Sequence, residues 1–190
     1  MAHFEEDIKN SLKVLREGGV ILYPTDTVWG LGCDASGLEA VEKILRIKTR
    51  ADSKSLIILV NGIGMLERYV KEIPPTAAEL ISVSDSPLTI IYPEGKNLAA
   101  GICNEDGSVG IRICDEPFCN ELITRFRKPL VSTSANISGK SSPLNFSEID
   151  DDIKKSAGYV VTYRQEERQK NKPSPVIKID KNGALKIIRM

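Results

Sequence analysis

The chain has 190 residues, 41% of them hydrophobic, enough for one substantial core and within the range of a single α/β domain, 1–190. Its 26 cations and 26 anions cancel to a formal charge of zero, which argues against a protein that coats long stretches of nucleic acid nonspecifically and leaves only local patches for RNA. Nothing approaches a membrane-spanning run, and the opening MAHFEEDIKN is polar and acidic rather than a signal peptide, so a cytoplasmic protein with no membrane partner is expected.

Ile8, Leu12 and Leu15 form one apolar stripe, predicting a packing helix over about 5–17 that Gly18-Gly19 stops. Val20 to Tyr23 then reads as a buried strand, ended by Pro24. Thr25-Asp26-Thr27 follow as a polar loop at the strand's carboxyl end, where open α/β sheets bind ligands. Leu38, Val41, Ile44 and Leu45 recur at helical spacing, and the apolar run 56–60 predicts the next strand. Between them Lys48, Arg50 and Lys54 fall within seven residues. Cations at a helix C-terminus commonly serve its dipole and solvent. The other reading is a polyphosphate site, since Arg grips phosphate with two parallel hydrogen bonds and Lys supplies a mobile charge. No GxxxxGK[ST] loop is present, and Gly30-Leu31-Gly32 is too short for a GxGxxG fingerprint, so a nucleotide site here would be of another kind.

Two short helices are predicted over 65–70 and 75–83, a strand over 88–92 and a loop over 96–107. The strand 108–113 alternates, with Val109, Ile111 and Ile113 on one face and Ser108, Gly110 and Arg112 on the other. Arg112 reads either as an edge-strand arginine in solvent or as the floor of a carboxylate pocket. Phe118, Leu122, Ile123 and Phe126 predict a helix, and Pro129-Leu130-Val131 a short strand. The tract 132–139, STSANISG, packs four hydroxyls and an amide into eight residues, which suits turn capping or phosphate and ribose oxygens. A polar helix with Ser147 as N-cap is expected over 147–157, then a strand over 159–163. RQEERQKNK, 164–172, is a charged, solvated connection. The strands 176–179 and 184–188 form a hairpin about Asn182-Gly183. Strands scattered among helices, with a late antiparallel hairpin, argue for a mixed twisted sheet.

The four cysteines include no CxxC pair, and the only histidine is His3, so neither a zinc site nor a Ser-His-Asp or Cys-His machine is expected. Free thiols in a reducing compartment fit better, with Cys33 near enough to the polar loop to reach it.

The combination GGVILYPTDTVWGLGCDA, then Lys48-Thr49-Arg50 with Lys54, then Ser108-Val109-Gly110-Ile111-Arg112, then STSANISG resembles the YrdC-like family of threonylcarbamoyl-AMP synthases over nearly the whole chain. The resemblance implies an α/β fold, a twisted open mixed β-sheet with flanking helices and a large central cavity. It also implies conversion of L-threonine, bicarbonate and ATP, with Mg²⁺, to threonylcarbamoyl-AMP and pyrophosphate. The product would serve modification of a tRNA adenosine beside the anticodon through downstream threonylcarbamoyl-transferase proteins. By the same resemblance Thr27, Arg112, Ser134 and Ser174 are L-threonine contacts. Arg50, Lys54, Ser108, Asn136 and Arg189 are ATP contacts, and Lys48 and Arg50 form the catalytic KxR pair. No residue is assigned to a metal.

Leu59 stands where some relatives have histidine, Pro175 follows Ser174 where the family often has Thr, and the charged loop lacks the usual glycines. A single domain is expected, without the C-terminal domain of longer relatives. The competing reading is an RNA-binding or ribosome-associated module, for tRNA or double-stranded RNA, with Arg46, Lys48, Arg50 and Lys54 as a basic patch. A carbamoyl-transferring relative is the third.

Overall fold

The computed structural model describes residues 4–48 and 56–190. Helix α1 (Glu5–Arg16) begins with Glu5, Glu6 and Asp7 and ends with Lys13 and Arg16, charges that complement its dipole, and it buries the expected stripe of Ile8, Leu12 and Leu15. Gly18 turns the chain at φ +69°, in the left-handed region that favours glycine. Buried Asp7 ties this helix to a distant segment. Its carboxylate accepts from the Tyr159 hydroxyl (2.6 Å), the Thr162 backbone N–H (2.9 Å) and hydroxyl (2.9 Å), and the Tyr163 N–H (3.0 Å).

Strand β1 (Ile21–Tyr23) is followed by β2 (Gly30–Asp34), a strand where the sequence predicts no element. Glycine and aspartate have low strand propensity, which hides it. The glycines serve a neighbour. Gly30 lies opposite Tyr23 in the antiparallel β1–β2 pair, and a Cβ on Gly32 would stand 2.5 Å from Tyr23 Cε1. The fully buried Tyr23 ring therefore occupies the space that larger residues on β2 would fill.

Helix α2 (Leu38–Ile47) precedes β3 (Ile57–Val60). The first short helix after it, α3 (Ile63–Leu66), starts and ends earlier than predicted, whereas α4 (Pro75–Val83) matches, with Pro75 in its first turn. Strands β4 (Thr89–Tyr92) and β5 (Val109–Ile113) follow, then α5 (Pro117–Phe126), capped by the Glu116 carboxylate on the Cys119 N–H. Strand β6 (Leu130–Ser134) runs through Ser132 to Ser134, so the first three residues of the supposed turn tract are strand. The expected helix from Ser147 is instead a 3₁₀ turn, Phe146–Glu148, and α6 (Asp151–Ser156). Asp150 caps α6 by accepting from the Asp152 N–H at 2.9 Å, a stronger acceptor placed nearer the helical run. Strand β7 (Tyr159–Val160) is short, and β8 (Val176–Ile179) and β9 (Leu185–Arg189) form the predicted hairpin.

The strands make one mixed sheet, β7-β1-β2-β6-β3-β5-β4-β8-β9, parallel at β7–β1, β3–β5 and β4–β8 and antiparallel elsewhere. Strand β5 is interior, which removes the edge-strand reading of Arg112; the residue is 3% exposed. Strand β9 is an edge, with Leu185, Ile187 and Ile188 exposed. Cys33 is fully buried rather than exposed at the polar loop, because it lies on β2 opposite Val131. The cysteines are free, and burial pushes the Cys33 and Cys119 thiols up.

Candidate functional site

Two polar tracts meet because β2 pairs with β6. The turn 25–28 enters β2, the tract 135–139 leaves β6, and the register sets Gly30 opposite Ser134. They bound a cavity of about 240 Å³, lined also by Lys48, Arg112, Ser174 and Arg189. Thr27, Ser134 and Asn136 line it too, so seven of the ten residues named from sequence meet there. Arg50 and Lys54 lie outside the described residues. Ser108 does not line the cavity: it is buried, its hydroxyl donating to Asp106 and accepting from Asn104 Nδ2 at 3.0 Å. The Asp106 carboxyl is held below the usual carboxylate range, chiefly by the Lys178 ammonium at 2.6 Å and then by Ser108.

Within the turn, Thr25 Oγ1 donates to the Val28 carbonyl (2.8 Å) and accepts from the Thr27 N–H (3.1 Å). Its proton being spent, the 3.1 Å contact between the two hydroxyls has Thr27 as donor. Thr27 therefore offers only lone pairs to the cavity, a match for a ligand N–H or O–H.

Arg112 is the buried cation of the site. Its Nη1 donates to Ser174 Oγ (3.2 Å), and its Nη2 lies 2.8 Å from Asp26 Oδ1. That contact is off the hydrogen-bond direction: neither Asp26 Oδ1 nor Arg112 Nε has a hydrogen-bond partner among the described residues. A guanidinium with an open Nε–H is equipped to receive a carboxylate. Leu59 lies opposite Arg112 in the β3–β5 pair and is fully buried, so the position that is histidine in some relatives is filled here by packing.

Ser174 joins two arginines. Its hydroxyl meets Arg112 and Thr89 Oγ1 (2.8 Å), while its carbonyl accepts from Arg189 Nε (3.2 Å) and Nη2 (2.8 Å). Pro175 does not disturb this, since the contacts use Ser174 itself and the Pro175 carbonyl accepts from the Thr89 N–H. Burial and then the charge of Arg112 lower the pKa of Arg189.

Lys48 is 2% exposed, and its ammonium donates to the Ser134 and Asn136 carbonyls, both at 2.7 Å. The Asn136 amide holds its own loop, accepting from Ser134 Oγ and donating to the Ile137 (3.0 Å) and Lys140 (2.6 Å) carbonyls. The reading of Lys48 as an exposed cation is thus corrected: the strand exit needs a donor for its carbonyls. Four residues outside the sequence-based assignment also belong here. Thr25, Ser132 and Ser138 line the cavity, Ser138 Oγ buried without a hydrogen-bond partner among the described residues, and Asp26 backs Arg112. All four lie within the quoted motifs, which was the available signal.

A second cavity, about 690 Å³, opens on the face carrying Ile111 and Ile113, with Asp26 and Glu116 among its walls. The charged loop is anchored beside it: Arg164 donates to the Thr25 carbonyl (3.0 Å) and lies 3.6 Å from Glu116, whose carboxyl is pushed up by burial.

The profile of a family described as telomere recombination, Sua5/YciO/YrdC, matches residues 13–190. A threonylcarbamoyl-AMP synthase of Pseudoalteromonas translucida is 36% identical over 160 residues, covering 83% of this chain and 86% of that protein. One from Vibrio campbellii is 32% identical over 93% of this chain and 94% of its own length. Sua5 from P. abyssi, solved with L-threonine, is 28% identical and superposes with a TM-score of 0.81 over 92% of this chain. The chain spans about half of Sua5, 51% of it in that alignment. YciO from E. coli has the same fold, with a TM-score of 0.83 over 97% of this chain.

Proposed function

The chain belongs to the Sua5/YciO/YrdC family, and from that membership we propose that it is a threonylcarbamoyl-AMP synthase, converting L-threonine, bicarbonate and ATP to threonylcarbamoyl-AMP and pyrophosphate. The observation that carries the reading is Arg112, a buried guanidinium whose Nε–H has no hydrogen-bond partner among the described residues, in the lining of a cavity that also holds several hydroxyls and the cations Lys48 and Arg189. An amino-acid carboxylate would satisfy it, with the lone pairs of Thr27 receiving a substrate donor. The threonine amine takes up bicarbonate, losing water, to give a carbamate; a carbamate oxygen then attacks the ATP α-phosphorus and pyrophosphate leaves. The protein's part is to hold the three reactants together and supply fixed donors to the phosphates. Arg189 faces that task from β9, and Arg50 and Lys54 are assigned to it by family resemblance.

Among the described residues no group of three or more His, Cys, Asp or Glu side chains is arranged to hold a metal. The donor set of the cavity is hydroxyl and amide, and Asp26 is committed to Arg112. Mg²⁺ would therefore arrive with ATP as part of that substrate, held by phosphate oxygens and water. The product would pass to a tRNA-modifying transferase, with the cytoplasm as its setting. The RNA-module reading is not favoured, because Lys48, one of its four cations, is turned inward onto carbonyls.

The test is pyrophosphate release by the purified chain with L-threonine and bicarbonate omitted in turn, and the adenylate sought by mass spectrometry. Release requiring both, with the adenylate present, is the expected result; release from ATP alone would sink the reading.

A further inference from the structure

We propose that Asp26 is a positioning residue for the reaction, fixing the Arg112 guanidinium from behind without itself touching substrate. The inference rests on the synthase reading and deepens it. Arg112 and Asp26 are a buried pair, their side chains 4% and 11% exposed, 2.8 Å apart. They meet across a partition. Arg112 lines the smaller cavity, whereas Asp26 lines the larger one on the opposite side.

A buried guanidinium without a counter-charge is costly and would turn toward whatever acceptor it could reach. Asp26 supplies that charge. Because its oxygen lies off the hydrogen-bond direction, it does not use up an Arg112 donor, and Nε has no hydrogen-bond partner among the described residues. Ser174 Oγ on Nη1 steadies the opposite side of the guanidinium. The result is a cation held in place before substrate arrives, its fork still available to a carboxylate.

Asp26 is in turn fixed by its turn. The preceding Thr25 carbonyl is held by Arg164, a residue at φ +67° that also faces Glu116. The first residue of the charged segment thereby contributes to the placement of Arg112, through backbone rather than through substrate.

The experiment measures KM for L-threonine and for ATP separately in wild type, Asp26→Asn, Asp26→Glu, Arg112→Gln and the Asp26→Asn/Arg112→Gln double variant. L-Threonine binding by calorimetry and thermal melts accompany the kinetics. D26N should raise KM for L-threonine at least tenfold and leave that for ATP within twofold. D26E, which keeps the charge, should recover part of the loss. In the R112Q background D26N should add nothing, since Asp26 acts only through Arg112. An unchanged or lowered KM for L-threonine in folded D26N would overturn the proposal. So would a D26N effect of equal size with and without Arg112, or an equal rise for both substrates. If D26N does not fold, a D26E indistinguishable from wild type overturns it, and one weakened only toward L-threonine supports it. A wild type that neither turns over nor binds L-threonine would overturn the synthase reading and this role together, whereas an active wild type with an indifferent Asp26 overturns this role alone.

Discussion

The Lys48 ammonium lies 2.7 Å from the Ser134 carbonyl, pinning the end of α2 to the exit of β6. A lysine buried to this extent answers for structure as well as for chemistry. Replacing it by Met should cost about 2–4 kcal/mol, the order expected when a buried charge leaves its carbonyl partners unmet. Urea unfolding of Lys48→Met measures the loss; turnover should vanish as well, because both sides of the cavity hang on that contact. An unchanged midpoint would return Lys48 to a purely catalytic role.

Ser174 offers its hydroxyl to Arg112 and its carbonyl to Arg189, so a side-chain change separates the two. Ser174→Ala should raise KM for L-threonine about three- to tenfold, the scale of one hydrogen bond, and leave ATP affinity in place. Steady-state kinetics with each substrate varied will tell; an equal rise for both would mean that the hydroxyl holds the whole segment.

Gly32→Ala places a methyl 2.5 Å from Tyr23 Cε1 and 3.2 Å from the Val131 carbonyl. Overpacking of this kind costs about 1–3 kcal/mol. The double variant with Tyr23→Leu should lose less than the sum of the two single changes, a departure from additivity measurable by chemical denaturation. Strict additivity would mean that the ring is not the obstacle.

Asp106 gives the acid limb a defined sign. Its folded pKa lies below the ordinary 3.8, through Lys178 first and Ser108 second. The stability it contributes is fully present above that ordinary value and lost as the pH falls through the folded one. Wild type and Asp106→Asn should therefore differ more in denaturation midpoint at neutral pH than at pH ~3. Curves that stay parallel throughout would remove Asp106 from the acid response.

Periodicity was enough to read α1, α2, α4 and α5, and alternation enough to find β5 and its two faces. Strand β2 escaped because Gly30-Leu31-Gly32-Cys33-Asp34 has no strand-forming pattern of its own; its conformation is dictated by the Tyr23 ring and two flanking strands. Seven of the ten assigned residues do line the cavity, but Ser108 does not, and the division of labour among them was not legible. Whether Arg112 meets solvent or Asp26, and whether Lys48 points outward or onto carbonyls, depends on contacts across 86 residues or more of sequence. Local propensity carries no information about such pairings.

Strand β9, which bears Arg189, is the outermost strand of the sheet, and β8 is its one strand neighbour among the described residues. Its amides should exchange with solvent earlier than those of β5 or β6, through fraying too small to unfold the rest. Each such opening would carry Arg189 away from Ser174, so that nucleotide affinity and the solvent protection of the last strand should rise and fall together.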